Sequence, residues 1–133
     1  MASAIGIGGV FFKSANPAKL AQWYARHLRL ELEMPTAASF KSKAMPKGGL
    51  SVWSPFPADT RYFAPSKQPF MINFVVDDLD GALRQVKRGG AKIVGEIQAE
   101  SYGRFGWFLD PERNKVELWE PSRPKARKRR RAR

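Results

Sequence analysis

Three runs decide how this chain folds. They are Pro69-Phe70-Met71-Ile72-Asn73-Phe74-Val75-Val76-Asp77-Asp78-Leu79-Asp80, then Tyr102-Gly103-Arg104-Phe105-Gly106-Trp107-Phe108-Leu109-Asp110-Pro111, then Val116-Glu117-Leu118-Trp119-Glu120-Pro121. The first is a strand feeding a helix, with Asp78 as the N-cap. Leu79, Ala82, Leu83 and Val86 give that helix one apolar face, and Gly89-Gly90 ends it. Ala91–Ile97 reads as the next strand. Gly103–Leu109 and Lys115–Glu120 then form a hairpin around Asp110-Pro111-Glu112-Arg113-Asn114. Residues 69–121 are therefore one β-α-β-β-β unit.

The residues before it read as a divergent copy. Gly8–Lys13 is a short apolar run with the pattern of a first strand, and Asn16-Pro17 starts a helix. Leu20, Trp23, Tyr24 and Leu28 share one face of that helix. Leu30–Met34 alternates as a strand and Pro35 ends it; a short strand is expected around Ser39–Ala44, and Gly49–Ser54 is the fourth. Gly9 falls on Met71 and Asn16 on Asp78 at an offset of 62, while Trp53-Ser54-Pro55 falls on Trp119-Glu120-Pro121 at an offset of 66. The modules span about 5–55 and 69–121 of a domain covering 1–122. The connector, 56–68, is too proline-rich for regular structure, and its aromatics are expected to dock on the body. The fold class is α+β, two tandem modules forming a curved mixed sheet around a trough.

Composition narrows the chemistry. The 133 residues contain no cysteine, which removes disulfides, thiolate metal sites and cysteine nucleophiles. The net charge is +12, but residues 123–133 carry 8 basic side chains and no acidic one; without them 16 basic residues face 12 acidic ones, a net charge of +4. So dense a like-charged block is expected to be a disordered basic tail. It allows non-specific nucleic-acid binding through phosphates, binding to an acidic protein or membrane surface, or no specific partner at all. No apolar run approaches the ~20 residues of a membrane span, and the first residues lack the pattern of a secretory signal. The expectation is a cytoplasmic protein with no membrane insertion.

Alternation divides the strand residues between two faces. Ile72, Phe74, Val76, Val116 and Leu118 belong to the helix side. Gly9, Phe11, Ser51, Trp53, Met71, Asn73, Glu117 and Trp119 fall on the other, and would line the trough. A mostly apolar concavity with a few polar groups suits a small organic ligand. Trp53, Trp107 and Trp119 are candidates to stack on it, and Asn73 to fix its carbonyl. Tyr102 and Arg104 stand at a strand mouth where an anionic group would enter. Each has a plainer reading: the tryptophans as packing, Asn73 as a hydrogen bond to the neighbouring strand, Glu117 as a carboxylate satisfied by Asn73 or Arg104. His27, the lone histidine, reads as a half-buried helix residue.

The order strand, Asp-Asp-Leu-Asp, Gly-Gly-Ala and Tyr102–Pro121 resembles the vicinal oxygen chelate superfamily: glyoxalase I, bleomycin-resistance proteins and extradiol dioxygenases. The resemblance implies paired modules, often a homodimer, and a divalent metal on the trough floor that chelates substrate oxygens. The metal slots of the family fall here on Gly9, Ser51, Met71 and Glu117. Only Glu117 offers a suitable ligand; glycine has no donor, and a thioether suits these ions poorly. No cofactor is therefore expected. The resemblance then implies a bleomycin-resistance type of protein binding a small molecule without the metal. The alternatives are a lyase or dioxygenase-type enzyme using Glu117 as catalytic base or in a rearranged metal site, and a nucleic-acid-associated protein acting through the tail.

Overall fold

The structure is a computed structural model that describes residues 7, 9–47 and 49–122. The proposed tail, 123–133, lies outside the described residues, as do Gly8 and the start of the first module. Helix α1 is Pro17–Leu28, β1 Leu32–Met34, β2 Ala37–Ala38, β3 Ile72–Val75, α2 Leu79–Arg88, β4 Lys92–Glu100, β5 Gly103–Leu109 and β6 Lys115–Pro121.

Both helices start where their side chains supply a cap. Asn16 Oδ1 accepts from Lys19 N–H at 3.1 Å, and Asp78 Oδ1 from Gly81 N–H at 3.0 Å. Each satisfies a donor that the first helical turn leaves without a partner. The second module forms a four-stranded mixed sheet in the order β3-β6-β5-β4. β3 runs parallel to β6, with Asn73 opposite Glu117; β6, β5 and β4 are antiparallel neighbours. α1 and α2 lie together on one face of this sheet. Leu20 and Tyr24 of α1 join Leu79, Ala82 and Val86 of α2 over Phe108, Val116 and Leu118. Trp23 Nε1 donates to Gly89 O at 3.0 Å and locks the two helices together. His27 packs against the Trp23 ring, 5.1 Å between centroids, at the same junction. The α+β architecture and the mixed sheet follow the pattern read from the sequence.

The turn between β5 and β6 holds the first helix to the sheet. Asp110 is buried and accepts four hydrogen bonds. Oδ1 takes the N–H groups of Glu112 and Asn114, both at 2.9 Å; Oδ2 takes Asn114 Nδ2 at 2.9 Å and the Tyr24 hydroxyl at 2.8 Å. Next to it Glu112 accepts from the Ser14 hydroxyl at 2.8 Å and the N–H groups of Ala15 and Asn16 at 3.0 and 3.2 Å. Burial pushes the Glu112 carboxyl up, but these donors outweigh it and hold the group below its ordinary value. Arg113 in this turn has φ 64°. A β-carbon in that left-handed region is strained, whereas glycine is not. Arg113→Gly is expected to raise stability by about 0.5–1 kcal/mol, the relief of strain exceeding the entropy glycine adds to the unfolded chain. Urea midpoints of the two proteins check this.

The first module departs from expectation. Among the described residues, 9–13 and 49–54 form no strand. The strand expected near Ser39–Ala44 is a turn of 3-10 helix over Ser42–Ala44, and the alternating run pairs only as the two-stranded β1–β2 with Pro35 in its turn. Alternation describes how side chains would be sorted on a sheet; it does not supply an edge to pair with. Segments 9–13 and 49–54 are short, lie some 40 residues apart, and would make a two-stranded ribbon of their own, which is marginal in water. Among the described residues, the first copy therefore adds no strand to the four-stranded sheet as a trough wall.

Candidate functional site

The face of the four-stranded sheet away from the helices carries Asn73 on β3, Lys115, Glu117 and Trp119 on β6, and Phe105 and Trp107 on β5. The register sets Glu117 between Asn73 and Trp107, and Trp119 beside Phe105. Glu117 is 8% exposed, so its charge needs partners. Asn73 Nδ2 donates to Oε1 at 2.7 Å, Trp107 Nε1 donates to Oε2 at 2.8 Å, and the Tyr62 hydroxyl makes a short hydrogen bond to the same Oε2. Lys115 Nζ donates to the Tyr62 carbonyl at 2.6 Å and lies 5.2 Å from the Tyr62 ring centroid and 5.7 Å from that of Trp107. Burial pulls the Lys115 amine down, an effect Glu117 partly offsets.

Tyr62 comes from the connector. Its ring stacks on Phe56 at 5.6 Å and meets Trp107 edge-on at 6.3 Å. The expectation that the connector aromatics dock on the body holds for Tyr62, whose landing site is Glu117, with Phe56 and Phe63 packed around its ring. Beyond Trp107 the aromatic surface continues. Phe105 lies parallel to Trp119, 6.0 Å and 3° apart, and nearly parallel to Trp107 at 6.5 Å, with Tyr102 edge-on to it at 5.7 Å. Trp119 Nε1 donates to the Tyr102 carbonyl at 3.0 Å. Gly103 permits this closeness: its φ is 140°, and a β-carbon there would collide with the Trp119 indole.

The structure thus brings Asn73, Trp107, Glu117 and Trp119 onto one face of the sheet, the two indoles and the carboxylate buried, with Tyr102 exposed at its rim. Met71, half-buried, stands one residue before β3 on the Asn73 side of the alternation. Three candidates lie elsewhere. Phe11 is 95% exposed and Trp53 80% exposed, because their segments have no strand to place them on the trough face. Arg104 faces the helix side. Its guanidinium makes a two-pronged contact with Asp80 at the start of α2, at 3.1 and 3.2 Å, and approaches Glu120 at 3.6 Å. Position 104 shares its parity with Phe108, not with Trp107, so alternation alone forbids it the trough. Three participants were not singled out as site residues. Phe105 was legible from its two-residue spacing to Trp107. Lys115 shares its parity with Glu117 and Trp119, which is the signal that could have found it. For Tyr62 the sequence offered only its place among docking aromatics.

The fit of a divalent ion is decided by these donors. Gly9 and Ser51 are exposed and off the sheet, Met71 offers sulfur, and both Glu117 oxygens already accept from the protein. Among the described residues no three His, Cys, Asp or Glu side chains gather in a way that could hold a metal. The residues present do not fit the ion. A separate open cleft of about 570 Å³ lies by Lys13, Gln68, Glu112 and Arg113. The Glu112 carboxylate there is already engaged by the start of α1.

Tyr62 sets a pH dependence. Burial first, then the hydrogen bond and charge of Glu117, push its phenol well above the ordinary value of 10.0. Burial, with Asp110, does the same to Tyr24. A folded value above the unfolded one means stability fully present below the unfolded value and lost as pH rises past it. Tyrosine absorbance is expected to show these two groups ionising above pH 10 only as the fold opens, with the unfolding step moving to higher pH in Tyr62→Phe.

The model of the Glyoxalase-like domain matches residues 9–119, and the chain belongs to that family. The superfamily read from the Asp-Asp-Leu-Asp and Asp-Pro motifs is thereby the right one. A protein from the mobile metagenome of V. Pseudocholerae shares the fold, with a TM-score of 0.51, 17% identity, and coverage of 90% of this chain and 99% of that chain. A member of the glyoxalase/bleomycin resistance protein/dioxygenase superfamily from Sphaerobacter thermophilus is 26% identical over 37% of this chain, TM-score 0.34. TnmS3, an antibiotic binding protein from Streptomyces sp. CB03234, is 25% identical over 41%, TM-score 0.36. The chain spans 40% and 45% of the length of those two proteins. A search among curated proteins found no match. Among the described residues no helix is long and apolar enough to cross a membrane.

Proposed function

We propose that the protein binds a small organic ligand on the aromatic face formed by Phe105, Trp107 and Trp119, and does so without the divalent metal of its superfamily. The observation that carries this reading is the state of Glu117. It keeps the position of the family's last metal ligand, yet three donors already fill three of its four acceptor sites: Trp107 and Tyr62 both on Oε2, and Asn73 on Oε1. A general base or a metal ligand needs an open acceptor site, and Glu117 has at most one left, on Oε1, with no group of three metal-ligating side chains around it among the described residues. The carboxylate instead orders an indole and an amide beside a stacked aromatic surface, a combination suited to holding a planar molecule. Sequestration or sensing, without chemistry, follows.

Tryptophan fluorescence and thermal stability, measured against a panel of small planar aromatics, test the proposal. Binding is expected to quench Trp107 and Trp119 and to raise the melting temperature. No response to any compound overturns it. So does stoichiometric Zn, Ni, Mn or Fe in purified protein that disappears in Glu117→Ala. A homodimer belongs to the same reading. Phe11 and Trp53 sit in exposed apolar segments with strand patterning that pair with no strand among the described residues, and a second copy would cover them. Sedimentation is expected to give twice the monomer mass, and the monomer mass for a Phe11→Glu, Trp53→Glu variant.

A further inference from the structure

We infer that the ligand taken on this face is a phenol, an aromatic ring bearing a hydroxyl donor, and that Tyr62 is its resident substitute supplied by the connector. The inference rests on the proposal of a small-molecule site on this face, and it names the chemistry that site selects. Tyr62 shows what the surface accepts. Its hydroxyl donates to Glu117 Oε2, its ring edge meets Trp107 at 6.3 Å and 89°, its face lies 5.2 Å from the Lys115 ammonium, and its other neighbour is the stacked ring of Phe56 at 5.6 Å. Each contact is one that any phenol of similar size would make. The ammonium favours the electron-rich face of the ring, and the carboxylate favours an O–H donor over an ether or a ketone.

The electrostatics also say what is excluded. Glu117 accepts and cannot donate, so an arylcarboxylate would set a second anion beside a buried carboxylate. A ring without a donor would leave one of the carboxylate's hydrogen bonds unmade. The substitute itself is loosely seated. Tyr62 is 40% exposed, unlike Trp107 and Glu117 beneath it, and it belongs to a connector without helix or strand. Besides lying over the ring, Lys115 holds that connector by the backbone carbonyl of residue 62, a bond that does not depend on the side chain. Removing the side chain therefore leaves the tether in place and vacates the phenol position.

The test uses the full chain with Tyr62→Ala, and p-cresol, 4-methylanisole and 4-methylbenzoate as probes, read by calorimetric titration and thermal shift. The variant is expected to bind p-cresol at least tenfold more tightly than the unaltered protein, which must first displace its own tyrosine. It should bind p-cresol at least tenfold more tightly than 4-methylanisole, and 4-methylbenzoate not at all. Equal affinity for p-cresol and 4-methylanisole overturns the phenol assignment while the broader small-molecule reading stands. A folded variant that ignores p-cresol also overturns it; whether that broader reading falls too is decided by the panel on the unaltered protein. Should Tyr62→Ala fail to fold, Tyr62→Phe takes its place. It keeps the ring and frees Oε2 of one donor, and p-cresol should bind it at least threefold more tightly than the unaltered protein. No gain there counts against the inference.

Discussion

Glu117→Ala is expected to cost about 4 kcal/mol of folding stability. The figure comes from the donors the carboxylate satisfies. Trp107 Nε1 belongs to a buried indole, so its N–H would be left without a partner, at about 2–3 kcal/mol for a donor that had bonded a charge. Asn73 and Tyr62 are partly open to solvent and would turn to water, losing about 1 kcal/mol each. Glu117→Gln separates charge from hydrogen bonding. Its carbonyl could keep Trp107 and Tyr62, and the Asn73 amide could turn its oxygen toward the new amide N–H. About 1–2 kcal/mol is expected for this variant, mostly from the lost charge assistance. Urea unfolding followed by tryptophan fluorescence measures both. A cost below 1 kcal/mol for Glu117→Ala would mean that the three donors are satisfied elsewhere, and that the carboxylate is available for a ligand or an ion.

Asp110→Ala is expected to cost as much, about 3–5 kcal/mol, for a different reason. Glu117 organises one face of the sheet, whereas Asp110 joins the halves of the chain. Its Oδ1 closes the turn through two backbone N–H groups, and its Oδ2 reaches across to the Tyr24 hydroxyl of α1. The group and its partners Tyr24 and Asn114 are all buried, so water cannot readily replace the lost acceptor. Tyr24→Phe removes one bond and should cost about 1–2 kcal/mol. In the double variant the two costs should fall short of adding, since each removes the same interaction. Full additivity would show that the Tyr24–Asp110 bond contributes nothing.

The second half of the chain was legible because its signals are local and agree with one another. Asp78 caps, Gly89-Gly90 terminates, and the spacing of Phe105, Trp107, Glu117 and Trp119 sorts the strands correctly onto two faces. The first half was legible only where a helix carried it. The α1 face of Leu20, Trp23, Tyr24 and Leu28 needs no partner to be recognised, while the runs around Phe11 and Trp53 promised strands that require an edge from elsewhere. At the site, residues on regular strands follow parity, which puts Arg104 with Phe108 on the helix side, against Asp80. Tyr62 could not be found this way. No period governs a proline-rich connector, and the contact of Tyr62 with Glu117 spans 55 residues.

The placement of α1 bears on how the chain could be cut. By order along the sequence it is the helix of the first module, but by its contacts it is the second helix of the second module's sheet. Tyr24, Trp23 and the segment that Glu112 holds are attached to residues beyond 85. A nick in the connector would leave two polypeptides that still share one core. A shortened protein made by starting at residue 69 would keep the aromatic residues of the sheet but lose Tyr62 from over Glu117 and Trp107, and bare the other face where α1 had lain. The duplication visible in the letters is thus a poor guide to where this molecule could be divided: the seam between the repeats is not a seam in the packing.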